Sequence, residues 1–120
     1  MTETEYGRWS VPAGQLHAVT PVQARDLIIE CFYHAQHETF ERMKQRMGTT
    51  WNEEAVRKSV SGAVRSAFAQ VGGDFDAPSK HDFEEVVRVL GVKARSWGTP
   101  EDITEHHTRQ IERVLANLEE

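Results

Sequence analysis

The sequence predicts an all-α fold: an antiparallel bundle of four helices, over about 21–47, 51–71, 80–97 and 100–118, behind an irregular N-terminal arm. Three observations predict it. Apolar residues recur at helical spacing through each segment. Two helix starts carry a cap residue followed by proline, Thr20-Pro21 and Thr99-Pro100. Glycines stand where the first two helices should stop, at Gly48 and Gly72-Gly73. Short connections favour antiparallel neighbours. Residues 1–19 are then the arm, and 20–120 a single helical-bundle domain.

The first helix opens on Thr20, with Gln23 placed to complete a capping box, and meets no breaker before Gly48. Leu27, Cys31 and Ala35 form one apolar strip, Ile28 and Phe32 widen it, and Ile29, Tyr33, Phe40, Met43 and Met47 carry it around the cylinder. A helix apolar over most of its circumference is covered on two sides. Two covers are open at this point: the other helices with the arm, or a second copy of the chain. In the second case Ile29, Phe32, Tyr33, Phe40, Met43 and Met47 are the interface residues.

The second helix is expected to begin near Thr50, with Glu53 three residues on, and to bury Val56, Val60, Ala63, Val64, Ala67 and Val71. Ser59, Gly62, Ala63, Ser66 and Ala67 are small, which lets a neighbouring helix approach closely. Gly72 to Pro78 reads as a turn. Ser79 caps the third helix, with Asp82 near its positive end, and Phe83, Val86, Val87, Leu90, Ala94 and Trp97 share one face. Gly91 permits a stop at Leu90, but Ala94 and Trp97 keep the phase, so the helix is expected to continue. Thr99-Pro100 with Asp102 opens the fourth helix, whose inward stripe is Ile103, His107, Ile111, Val114 and Leu118. In the arm, Tyr6, Trp9, Val11 and Leu16 are too apolar for an idle tail, while Gly7, Pro12 and Gly14 oppose a regular helix. The arm should pack its aromatics on the bundle or on a second subunit.

A net charge of -5 argues against a general nucleic-acid binder. Arg42, Lys44, Arg46, Arg57, Lys58 and Arg65 could form a local basic patch, but cations at the end of a helix also answer its dipole. The first twenty residues contain no long apolar run, so neither a signal peptide nor a membrane span is expected and the cytoplasm is the expected location. The single cysteine, Cys31, rules out an internal disulfide framework and has apolar helical neighbours, so it reads as a small buried hydrophobe.

The polar side of the first helix carries the sharpest chemical hint. Glu30 and His34, His34 and Glu38, and His37 and Glu41 are each one helical turn apart. Imidazole with carboxylate suits zinc, iron or manganese. His107 occupies an inward position where an aliphatic residue would fit, and a buried imidazole needs a hydrogen-bond partner, for which Glu38 is placed. The candidate metal set is therefore His34, His37, Glu38 and His107, with Glu85 able to join a polar pocket. The competing reading is a solvated face held by charge pairs and a structural His-Glu contact in the core. His106 points closer to solvent. No phosphate-binding loop, no C-x-x-C and no H-E-x-x-H occurs. The expected function is a non-enzymatic helical bundle acting through homodimerisation or association with another protein; the alternative is a metal-binding bundle.

Overall fold

The computed structural model describes residues 9–47 and 51–118, with 43–47 as helix backbone only. Four helices follow one another: α1 (Pro21–Met47), α2 (Glu53–Gln70), α3 (Lys80–Ser96) and α4 (Glu101–Ala116). Successive helices pack on each other and α4 returns to α1, closing a bundle 43 × 31 × 24 Å across. This is the predicted all-α four-helix architecture.

Local chemistry sets most of the helix ends. At α1 the capping box forms in full: Gln23 N–H donates to Thr20 Oγ1 at 3.2 Å, and Thr20 N–H to Gln23 Oε1 at 3.0 Å. The cap of α2 is Asn52, whose Oδ1 accepts from Ala55 N–H at 3.0 Å. The expected start, Thr50, lies outside the described residues, as does Gly48. Ser79 Oγ caps α3 through His81 N–H. That helix runs through Gly91 in the expected phase and stops at Gly98, whose φ of 85° suits glycine. Thr99 N–H then closes on the Ala94 carbonyl and Gly98 N–H on Arg95, a Schellman ending. Gly72, at φ 78°, ends α2 in the same way.

The predicted cap of α4 does not form. Pro100 stands at the N-cap with no side-chain bond, because both expected capping groups are taken up by α1. Thr99 Oγ1 accepts from Gln36 Nε2 at 2.9 Å, and Asp102 holds Arg42 through two bonds of 2.9 and 3.0 Å. A bidentate guanidinium–carboxylate pair is stronger than one neutral cap bond, so tertiary contact prevails over local geometry.

The core centres on Phe32, Phe68, Phe83, Ile28 and Leu90, all at most 1 % exposed. Between Leu27 and Glu41 no residue of α1 is exposed. Over this stretch the cover that α1 needs is supplied by its own chain, which removes Phe32 and Tyr33 from the expected interface. Phe32 is fully buried, with its ring 5.4 Å from that of Trp97. Tyr33 lies beneath Trp51, whose Nε1 donates to its hydroxyl, and beneath the Arg57 guanidinium 4.0 Å from the ring. Neither side chain is available to a second subunit. Ile29 and Phe40 are half-buried, and Met43 and Met47 lie outside the described side chains. On α2, Ala63 and Ala67 face inward while Ser59, Gly62 and Ser66 face solvent, so the small-residue surface is only partly packed.

Before α1, the chain makes a short 3-10 turn over Ala13–Gln15 and passes through Ala18 at φ 49°, a left-handed conformation that costs a non-glycine residue. Val19 is then fixed: it is fully buried, and its N–H donates to the Asn117 carbonyl at 3.1 Å. The resulting bridge between Val19 and Leu118 ties the start of α1 to the end of α4.

Candidate functional site

The histidines and carboxylates of α1 are drawn into separate pairings. His34 Nε2 sits 3.5 Å from Glu30, and His37 Nε2 3.6 Å from Glu41. Glu38, buried at 3 % exposure, accepts from Arg42 at 3.3 Å. His107 is buried on α4 with its ring beside Phe32, and its Nδ1 has no hydrogen-bond partner among the described residues. Glu85, on α3, pairs with Arg88. Among the described residues no three of His, Cys, Asp and Glu come together to hold a metal ion. The set His34, His37, Glu38 and His107 therefore does not assemble into a metal centre. Partners one turn away on the same helix have taken three of its members.

What does converge on His34 is the arm. The Trp9 ring stacks on the His34 imidazole, with centroids 4.5 Å apart and planes within 10°. The Trp9 carbonyl lies 2.8 Å from His106 Nε2. A carbonyl can only accept, so His106 carries its proton on Nε2. Two residues on, Val11 N–H donates to Gln110 Oε1 at 2.9 Å, and the Val11 side chain is buried. Arg113 Nη1 donates to the same Gln110 oxygen and orients it. A tripeptide outside regular secondary structure, Trp9-Ser10-Val11, is thus held along the α1–α4 seam by side chains that bond its backbone at both ends. The bonding pair stands one turn apart on α4, the spacing needed to meet a carbonyl and the second amide beyond it.

The arm closes a cavity of about 10 Å³ lined by Trp9, His34, Glu38, His106, His107 and Gln110, room for one water molecule. Burial sets the electrostatics beneath it. It pushes the His107 pKa down to about 4, with the Ile103 carbonyl partly opposing, although that carbonyl does not reach hydrogen-bonding geometry at Nδ1. Burial also lowers His34, against the pull of Glu30. Cys31 is pushed up to about 12 by burial and by Glu30, which keeps it a thiol and a poor nucleophile.

Burying Val11, stacking Trp9 and forming two hydrogen bonds contribute about 5 kcal/mol together. Ordering three backbone residues costs about 3–6 kcal/mol.

Elsewhere, three of the cations that sequence grouped as a basic patch have acidic neighbours. Arg42 pairs with Asp102, Arg57 with Glu30 and Glu53, and Arg65 lies 3.9 Å from Asp76 with its guanidinium over Phe75. An open hollow of about 340 Å³ is lined by Gln36, Trp51, Ala55, Val56, Ser59 and Trp97. Trp97, expected inward, is 42 % exposed there. No helix among the described residues is long and apolar enough to cross a membrane.

Sequence reasoning passed over His106 and Gln110. The signal was present: both are polar, one turn apart, and they flank an inward stripe that also contains His107. In comparisons with known protein families, curated proteins and solved structures, the chain finds no match in any of the three.

Proposed function

We propose that this chain is a non-enzymatic helical-bundle protein that acts by association, gripping an extended peptide segment in the α1–α4 seam. One observation carries the reading: Trp9-Ser10-Val11 is held there by its backbone, through His106 at the Trp9 carbonyl and Gln110 at the Val11 amide. Backbone bonding of this kind supplies affinity for any extended segment, and the His34 face and the pocket of Val11 supply selectivity. The segment gripped can belong to the same chain, to a second copy or to another protein.

A labelled peptide spanning residues 7–16, titrated into the full-length W9S/V11S variant, tests this by fluorescence anisotropy. Saturable binding that disappears when H106A and Q110A are added to the variant is the expected result. Failure to bind at millimolar peptide would overturn the reading.

A further inference from the structure

We propose that the arm is exchanged between two copies of this chain, so that each seam holds Trp9–Val11 of its partner. The inference rests on the reading of the seam as a peptide-gripping site and names its occupant.

The seam contacts are the same whether the arm comes from its own chain or from a neighbour. The stacked ring on His34 and the bonds to His106 and Gln110 therefore favour neither form. The connection between arm and bundle decides. That connection runs from Pro12 to Ala18, between two fixed points: Val11, 2 % exposed, and Val19, fully buried and bonded to Asn117. Within it every residue except Leu16 is exposed, so little packing holds it folded back.

Folding back has a conformational cost. The closed connection coils into the 3-10 turn at Ala13–Gln15 and holds Ala18 at φ 49°, where a Cβ crowds the backbone. Extending the connection relieves Ala18 and gives up the two backbone bonds of the turn, from Gln15 N–H to the Pro12 carbonyl and from Leu16 N–H to the Ala13 carbonyl. Hinges strained in this way promote exchange. Seven extended residues reach about 25 Å. The shortest dimension of the molecule is 24 Å, so the arm can cross to a copy lying alongside the Val19 edge. The bundle need not change. A segment that fits the seam, tryptophan then one residue then valine, is already carried by every copy, and this selects a second copy over an unrelated partner. The net charge of -5 makes copies repel, but salt at physiological strength screens charges beyond about 8 Å.

Light scattering on the full-length chain after size exclusion, in physiological salt from micromolar to millimolar concentration, reads the outcome directly. The mass should move from one chain towards two as concentration rises. A18G should shift it back towards one, by relieving the closed hinge. A18P should fix it at two, because the proline ring holds φ at about −65° and cannot adopt the closed hinge at 49°. If A18P prevents folding, mixing decides: W9S alone and H106A/Q110A alone should each be monomeric, and their mixture should contain a dimer with one intact seam.

A folded A18P chain that stays monomeric would overturn the exchange, as would a dimer that survives W9S. Either result leaves the seam reading standing if the 7–16 peptide still binds. Loss of peptide binding removes the seam reading itself.

Discussion

Replacing His107 with leucine should flatten the acid limb of the stability curve. The imidazole is 4 % exposed, its Nδ1 has no partner among the described residues, and burial lowers its pKa from 6.5 to about 4. Above pH 6.5 it is neutral in both folded and unfolded chains and adds no pH dependence. As pH falls below 6.5 the unfolded chain takes up the proton while the folded chain does not, so stability falls until the folded group also titrates near pH 4. A shift from 6.5 to about 4 corresponds to about 3 kcal/mol lost across that window. Urea unfolding followed by far-ultraviolet circular dichroism, at pH 7 and at steps down to pH 4, measures it. H107L should lose about 3 kcal/mol less than the parent chain between these limits, and should gain about 1–3 kcal/mol at pH 7 by removing an unsatisfied buried group. His34 is lowered in the same direction, but it is present in both chains and cancels in the difference. An acid limb of equal depth in H107L would refute the assignment of that limb to this residue.

Other perturbations have equally defined outcomes. G73A should destabilise the chain by about 1 kcal/mol, since the added Cβ would lie 2.7 Å from Asp82 Oδ2 and 3.3 Å from the Phe68 ring; thermal melting reads the loss. Cys31, 1 % exposed and held as a thiol, should react with a disulfide reagent only at the rate of unfolding, and fast labelling in native buffer would contradict its burial. Zinc or manganese should leave the melting temperature unchanged, because no described cluster gathers three ligands; a concentration-dependent rise would reinstate a metal site.

Helix positions were readable because they depend on neighbours in sequence. Thr20 and Gln23 bond each other whatever lies around them, and Ala94 keeps the phase of Leu90 through Gly91. Reading failed where a distant group competed. Thr99 and Asp102 have capping spacing but are held by Gln36 and Arg42, some sixty residues earlier in the chain. Two of the expected α1 interface residues show the same limit: periodicity reveals that Phe32 and Tyr33 need cover, not that Trp97 and Trp51 supply it. The histidine cluster was legible as chemistry and misleading as a site, since the spacing that suits a shared metal also suits His34 with Glu30 and His37 with Glu41. The seam was the least legible part. It depends on an arm with no periodicity meeting two α4 side chains almost a hundred residues away.

The bridge between Val19 and Leu118 has a mechanical consequence. It places the outer ends of α1 and α4 side by side, at one end of the bundle. Tension applied between these two points would load the Val19–Asn117 hydrogen bond first and alone. Beyond it, the force would act across the α1–α4 contact rather than along it, opening turn after turn as a zipper opens, without the parallel sharing of load that a sheared sheet provides. The same opening would pull apart the two walls that hold Trp9 and Val11. Separation of Val19 from Leu118 and release of the arm are therefore one motion.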